Sequence, residues 1–534
     1  MSGRNILLRA AHVLPIVLTL ACCSCSHAGS GRQAEAHELR IADWSEPSSL
    51  DPLLAHDQDT IGFDLLFAET LVGLSRDNSL VPILVTRVPS RANGDISIDG
   101  REIVYHLRPN VRFADGKPLT SRDVAFTFRA IMDPRNPVLS RDAYRRIASL
   151  TILDAHTILV RLRSPWNAAV RELFAESDFA FGILPAHAFA STSLQGAPWE
   201  DHAFGSGPFR VTEWRRADRI ILEPNPYFSP RPKLARIELR MVPDLSGVVL
   251  ALRTGEADLA RVTPIQVPDA AAIPRIRIIP TDVNGTDYLT LQTTTPPTDD
   301  VRVRRAIASA LDVVMIERAF HRLNAPAAAF LPPVLSWHDD SLMPLARNTV
   351  AAASELDAAG WRFRFGSRVK GGSPLEVLIV SQAGLSGELG AIVQRQLAEV
   401  GIRATIKSFP ASSFYGPGGP LRTGHFNIAA QGWIGGADPE QSVVFACSQI
   451  GPDGNNISRF CDRRLDSAFK DQAVTADERR RAADFRTIQR IVYRQVPVIP
   501  LDYLRYFDAA NRRVTGFTRN MLGFPVNAQN WDAR

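Results

Sequence analysis

HFNIAAQGWIGGADPEQSVVFACSQIGPDGNNISRFCDRRLD runs from His425 to Asp466, and the fold class is read outward from it. Phe426–Ala430 is a short apolar run of the kind that forms a buried strand. The run ends at Gly432-Trp433 and breaks at Gly435-Gly436. Asp438 then stands at a predicted N-cap, Pro439 suits the first helical position, and Gln441 lies three residues after Asp438, which is a capping-box pattern. A strand end, a Trp, a flexible break and a helix start are the parts of a ligand pocket in an α/β domain, where ligands favour the carboxyl ends of strands.

The flanking sequence repeats the α/β pattern. Leu375–Val380, a helix from Glu388 to Val400 with Gly401 after it, and Ile402–Ile406 read as a β-α-β unit, a right-handed crossover over a parallel sheet. Tyr288–Gln292 reads as a strand, and Val301–Phe320 as one long amphipathic helix with Val303, Ile307, Leu311 and Val314 on one face. Thr475-Ala476-Asp477-Glu478 reads as a second capping box. Its helix presents Phe485, Ile488 and Val492, and Pro497–Leu501 is a last buried strand. Toward the N-terminus, Leu39–Ala42 begins the folded part. Phe63–Leu71 is expected to be a helix stopped by Gly73. Ile103–Leu107 is a strand that continues through Arg108–Phe113, and Thr120 or Ser121 caps a helix with Val124, Phe128 and Ile131 on its face. Thr151–Asp154 and Thr157–Leu162 form a hairpin. Arg219–Leu222 and Ala235–Met241 are strands, and Leu245–Thr254 is a helix ended by Gly255.

The 534 residues are 45% hydrophobic and 22% charged, an ordinary globular composition with length for about three or four domains. The net charge is +5, and the basic residues are scattered. The densest cluster, Arg479-Arg480-Arg481, is read as a solvated helix face. A nucleic-acid footprint needs a stripe or patch, and none is present. Arg4 and Arg9 precede the apolar run Val13–Leu20, and Ala21, Cys22, Cys23, Ser24 and Cys25 follow. This is a secretory leader, too short for the ~20 residues that span a bilayer. Its ending resembles a bacterial lipoprotein signal, with Cys22 favoured and Cys23 close behind as the lipidated residue. A plain secreted protein with incidental cysteines is the other reading. His27–Ala36 is a flexible tether. The two remaining cysteines, Cys447 and Cys461, flank the turn Gly451-Pro452-Asp453-Gly454. An exported chain can keep a disulfide, so they are read as a bonded pair or as two separate buried thiols.

No catalytic constellation emerges. The His residues never take an H-x-x-x-H spacing, and no C-x-x-C pair lies in the folded part. Gly384-Leu385-Ser386-Gly387-Glu388 lacks the final Gly of a nucleophile elbow. Gly205-Ser206-Gly207 lacks the Lys-Ser/Thr of a phosphate loop. The chain is therefore expected not to be an enzyme and to use no cofactor and no metal. A carboxylate pair assembled only in space would escape this reading.

Fragments along the chain, in order, resemble one family. They are Ser49-Leu50-Asp51-Pro52, Tyr105-His106-Leu107-Arg108-Pro109-Asn110-Val111-Arg112-Phe113, Asp115-Gly116-Lys117-Pro118-Leu119-Thr120, Gly205-Ser206-Gly207-Pro208-Phe209, Asn225-Pro226-Tyr227, Gly255-Glu256-Ala257-Asp258, Val301–Ile307 and Asn455-Asn456. The chain resembles the large solute-binding lipoproteins of bacterial ABC importers, the dipeptide-, oligopeptide- and nickel-binding proteins of extracellular solute-binding family 5. The resemblance implies an α/β, two-lobed periplasmic-binding-protein fold with an extra α/β domain and the ligand in the interlobe cleft. The implied layout is a signal peptide at 1–21, a tether at 22–36, lobe I at 37–60, the extra domain at 61–194, lobe I again at 195–285, lobe II at 286–500 and lobe I at 501–534. It implies a monomer, exported and held by lipid at the outer face of the cytoplasmic membrane or free in the periplasm, that delivers a short peptide to permease subunits. A nickel complex or another amide-bearing solute is the alternative, and an enzyme on this scaffold a remoter one.

For the pocket, the resemblance implies a carboxylate three residues after the Trp to pair with a peptide's amino terminus. The matching residue is Gly436, which has no side chain. The nearest acid, Asp438, is read as a cap, a ligand contact or both. Trp433, beside Gly435-Gly436, is expected to lie flat against the ligand, with a core role as the other reading. Gln58, Asp59 and Thr60 fall near the segment that supplies backbone contacts in such relatives.

Overall fold

The computed structural model describes residues 36–534 except 44, 56, 178–179, 195–202, 243, 320–322, 384, 417 and 452–453. The leader, Cys22 and Cys23 lie outside the described residues, as do Gly384 of the failed elbow and the junction placed near residue 194–195. Among the described residues, no helix is long and apolar enough to cross a membrane.

Two long strands organise the chain. Ile276–Leu291 and Val498–Asn511 pair antiparallel along almost their whole length, from Ile276 opposite Asn511 to Thr290 opposite Val498. They form the middle of an 11-stranded sheet. On one side the order continues through Leu259–Val262, Glu38–Asp43, Arg236–Met241, Arg219–Pro224 and Phe209–Arg215. On the other it continues through Ile428–Ile434, Glu376–Gln382 and Arg403–Phe409. The ladder between the long strands slips twice, between Asp282 and Thr286 and again between Asp287 and Tyr288. Such irregularities bend a strand and raise its local twist, so the two halves of the sheet meet at residues 282–288.

Each half buries both faces of its sheet. In the second half, Leu289, Ile428 and Ile499 pack on one side against Val303, Ile307 and Val393, while Tyr288 and Val498 pack on the other against Phe445, Phe485 and Val492. The expected β-α-β unit is present: Glu376–Gln382 and Arg403–Phe409 pair in parallel, joined by the helix Leu385–Glu399. In the first half, one apolar core joins Leu39 and Ile237 of the large sheet to Val124 of the helix Ser121–Met132 and to Tyr105 and Val160 of the small sheet Glu102–His106, Thr157–Leu162 and Ile147–Asp154.

The family-like fragments fold as structural devices. Asp258 is buried and takes guanidinium bonds from Arg40 (2.9 and 3.1 Å) and Arg513 (2.9 and 2.8 Å), tying three distant segments together. Asn225 is buried and donates to the Gly207 carbonyl at 2.9 Å. A Cβ on Gly205 would lie 2.1 Å from the Phe67 oxygen, so only glycine admits that approach.

Several expectations are corrected. The helix expected at Phe63–Leu71 lies at Gln58–Asp64. Asp57 caps it, and the chain then turns so that the Leu66 and Phe67 carbonyls accept from Phe209 and Gly207. Gly73 sits in a short strand, Val72–Leu74. Val301–Phe320 is broken into Val301–Ala310 and Val313–Ala319. The Asp312 carboxylate accepts from Met315 N–H at 2.8 Å, capping the second segment, and Val314 points to solvent. Arg108–Phe113 forms turns rather than a continued strand. The cap of Glu478–Gln495 is Asp477, not Thr475. Arg479 and Arg480 are exposed, but Arg481 is buried.

Candidate functional site

The strand Ile428–Ile434 sets Trp433 opposite Thr286 and Ile434 opposite Gly285, at the place where the long strands slip. The chain then turns at Gly435-Gly436 and is clamped to Asn284. The Gly435 N–H donates to the Asn284 carbonyl at 2.7 Å, and Asn284 Nδ2 donates to the Gly436 carbonyl at 2.7 Å. A Cβ on Gly435 would lie 2.7 Å from that Nδ2, so the clamp requires glycine there. The Asn284 N–H in turn donates to the Met521 carbonyl at 2.7 Å, which brings the C-terminal segment to the same point. Asn284 and Met521 were not singled out in the sequence. The one available signal is Asn284-Gly285, a polar-glycine break inside an apolar strand.

Trp433 is half-buried and packs on one side against the core of the second half. With Thr286, Phe330, Leu331, Gly435 and Asp438 it lines a cavity of about 10 Å³, room for about one water molecule.

Asp438 does not cap a helix. The short helix Ser442–Phe445 begins after Gln441 with no side-chain cap. Asp438 is instead fully buried and takes a hydrogen bond from Arg481 Nη2 at 2.7 Å. Arg481 also bonds Gln472 Oε1 from Nε and Nη2 (3.2 and 3.1 Å) and lies over the Trp337 ring at 4.9 Å. An arginine buried under this loop needs an anion, and a charge-assisted bond there outweighs a solvent-side cap. The other Asp438 oxygen is buried and has no hydrogen bond among the described residues, and Asp438 is one of the residues that line the cavity beside Trp433. Burial pushes the nearby Glu440 carboxyl above its ordinary value. Burial also lowers the Arg171 guanidinium, against the pull of Asp438.

Gln58, Asp59 and Thr60 lie in the first half and line a separate cavity of about 80 Å³ beside Asp43, Arg261 and Arg519. Asp59 pairs with both terminal nitrogens of Arg261. Burial opposes the Arg261 charge, but this pair outweighs it and raises the pKa. Thr60 is buried: its hydroxyl donates to Asp57 at 2.8 Å and accepts from Ser48 N–H at 3.0 Å. Of the seven residues expected to meet the ligand, Trp433, Gly435 and Asp438 line one cavity and Gln58, Asp59 and Thr60 another, while Gly436 lines neither.

Contacts close the space between the halves. Ile61 and Ala55 from the first half, Leu331 and Ala437 from the second, and Met521 and Phe524 from the C-terminal segment form one apolar cluster. Asn167, carried by the segment between the first strand and the second half, donates to the last carbonyls of the helix Arg463–Val474: Nδ2 to Gln472 at 2.9 Å and N–H to Ala473 at 2.9 Å. Cys447 and Cys461 are joined as a disulfide, with Cα atoms 4.8 Å apart, which fixes the loop after Ser442–Phe445 to the start of Arg463–Val474. Among the described residues no three His, Cys, Asp or Glu gather to hold a metal.

A family model, bacterial extracellular solute-binding proteins, family 5 Middle, matches residues 79–452. The chain is 26% identical over 527 residues to di/tripeptide-binding protein 2 of Pseudomonas aeruginosa (strain UCBPP-PA14), covering 92% of this chain and 94% of that one. It is 25% identical over 493 residues to the glutathione-binding protein GsiB of Escherichia coli O1:K1 / APEC, covering 90% and 92%. In structure it is similar to NikA from Brucella suis, solved in complex with Fe(III)-EDTA, with a TM-score of 0.82, 21% identity and coverage of 93% and 100%.

Proposed function

This chain belongs to the bacterial extracellular solute-binding proteins of family 5, and from that premise we propose that it captures a short peptide for an ABC importer. The long strands Ile276–Leu291 and Val498–Asn511 serve as the hinge between two lobes, placed at 37–60, 195–285 and 501–534 for the first and 286–500 for the second, with 61–194 as an added domain. The observation that carries this reading is the turn Trp433–Gly436, clamped to Asn284 where the two strands slip. A ligand held there reports to both halves, because Asn284 also bonds Met521. Opening at this point admits the solute, and closing excludes water around it.

Trp433 supplies a flat apolar wall. Gly435 and Gly436 leave space and backbone groups, Asp438 offers one carboxylate oxygen, and Gln58, Asp59 and Thr60 line the separate cavity in the first lobe that a solute long enough to leave the Trp433 turn would reach. No step of bond making or breaking is assigned. Incubation with a peptide library followed by mass spectrometry tests the reading. Peptides recovered intact with the protein are expected; cleaved products that scale with protein concentration point to an enzyme instead.

One observation favours solutes without a free ammonium at the Trp433 end. Gly436 has no side chain, and Asp438 is already neutralised by Arg481. An N-blocked peptide or another amide-bearing solute fits that end better than a free amino terminus. We infer that the protein is exported and held by lipid on Cys22 or Cys23 at the outer face of the cytoplasmic membrane, or is free in the periplasm, as a monomer that docks on permease subunits. One acyl chain binds only marginally, so stable attachment takes more than one. The double variant Cys22→Ser, Cys23→Ser is expected to leave the membrane fraction; its retention there refutes the anchor.

A further inference from the structure

The segment Trp361-Arg362-Phe363-Arg364-Phe365-Gly366-Ser367-Arg368-Val369-Lys370 carries four basic residues and no acid. It folds as a hairpin on the surface of the second half, Arg362–Arg364 against Ser367–Lys370, with Arg364 opposite Ser367. The two-residue loop is Phe365-Gly366, with φ of 50° and 77°. Both are left-handed, as in the tight turn that favours Asn-Gly in such hairpins. A bulky Phe at positive φ is strained, and strain of this kind costs of order ~1–3 kcal/mol and gathers at functional positions. Nothing in the fold offsets it: Phe365 is 103% exposed, the most exposed of the large apolar side chains described.

The rest of the hairpin is arranged around that tip. Phe363 is 55% exposed. It is the second exposed ring of the hairpin, two residues before Phe365, with Arg368 5.6 Å from its ring. Arg362 and Arg364 are exposed on the opposite side. Among the described residues, Asp357 is the one acid paired with the hairpin, reaching Arg362 at 3.5 Å and Arg368 at 2.7 Å, so the ribbon stays cationic. Aromatic side chains at a protruding tip, flanked by arginines, match the chemistry of an anionic bilayer surface: rings enter the headgroup level and cations meet the lipid charge.

We propose that this hairpin is a membrane-contact element, in which Phe365 and Phe363 enter the interface of an anionic bilayer while Arg362 and Arg364 hold its headgroups. The contact is separate from any lipid on the N-terminal cysteines and from solute capture. It would set the orientation of the second half relative to the membrane.

The test uses the full chain carrying Cys22→Ser and Cys23→Ser, so that whatever the N-terminus contributes is common to all samples. Co-sedimentation is measured with vesicles of phosphatidylcholine alone and of phosphatidylcholine with phosphatidylglycerol. The parent chain is expected to favour the anionic vesicles and to lose that preference as salt is raised. Phe365→Asn suits the left-handed turn, so it is expected to hold or raise thermal stability while weakening anionic-vesicle binding about tenfold, the scale of one buried Phe. Arg362→Gln with Arg364→Gln is expected to abolish the preference for anionic vesicles. Equal binding by the parent and Phe365→Asn, or no preference of the parent for anionic vesicles, overturns the proposal. Pull-down of a permease subunit that depends on Phe365 without vesicle binding also overturns it, in favour of a protein partner.

Discussion

Replacing Arg481 with Met should be the most damaging single change near the Trp433 turn. The substitution keeps an apolar stem but removes the guanidinium, and with it the contact over the Trp337 ring, the bond to Asp438 at 2.7 Å and both bonds to Gln472. The Asp438 side chain is fully buried, so its charge is left without a hydrogen-bonded counter-ion, with only the more distant Arg171 to attract it. Breaking one side of such a pair costs about 3–5 kcal/mol, whereas replacing both partners by apolar groups is often near neutral. Asp438→Asn keeps the shape and an acceptor for Arg481, so its cost should be smaller, about 1.5–3 kcal/mol, the worth of a bond to a charged group. The double variant should then lose less than the sum, with a coupling of about 2 kcal/mol or more. Urea unfolding followed by far-UV circular dichroism reads all four corners of the cycle. A loss under about 1 kcal/mol for Arg481→Met, or zero coupling, refutes the reasoning. If Asp438 were a helix cap, Asp438→Ala would cost about 1 kcal/mol and Arg481→Met would leave it untouched.

Trp433→Ala should weaken binding of a retained peptide by about 2 kcal/mol, the scale of a buried aromatic anchor, with no comparable loss in the urea midpoint; calorimetry reads it. Acetylating the peptide's amino terminus should cost less than ~2 kcal/mol of binding, because Gly436 supplies no carboxylate; a larger loss, on the scale of a charge-assisted buried bond, shows that another acid does that work. Cys447→Ser with Cys461→Ser should lower unfolding free energy by about 3 kcal/mol, as expected for a loop of this size; the reduced parent protein should match it. Stability should also fall as pH rises from the ordinary carboxylate range through neutrality. Burial raises the Asp287 carboxyl, with the Asp502 charge adding to it, and burial likewise raises Glu317 and Asp502. Carboxyls that keep protons in the folded state contribute stability at low pH and lose it as pH passes their raised values. Asp287→Asn should flatten that fall between about pH 4 and pH 7 in thermal melts, since burial raises this carboxyl to about 7; an unchanged slope contradicts it.

Elements defined by local chemistry were legible in the sequence. The helix Leu245–Thr254 ends at Gly255 with φ 81°, and Thr120 with Asp123 forms a capping box on Ser121–Met132. Both depend on residues a few positions apart. The strand end beside Trp433 and the break at Gly435 were legible because both are also local. Asp438 and Arg481 are 43 positions apart; a cap-like pattern at one end and a charge run at the other hid their pairing. Asn284 is a buried clamp whose partners come from Gly435-Gly436 and Met521, and no spacing rule reaches them. The helix near residue 60 was displaced by contacts with Gly207 and Phe209, a tertiary demand that overrides local propensity.

The central claim is that the two halves close on a solute at the Trp433 turn. Small-angle scattering of the protein with and without a peptide recovered intact from it tests this directly. A smaller radius of gyration is expected on saturation with one peptide per chain, and no such change for Trp433→Ala at the same concentration. An unchanged radius at full saturation, or contraction that Trp433→Ala retains in full, contradicts it.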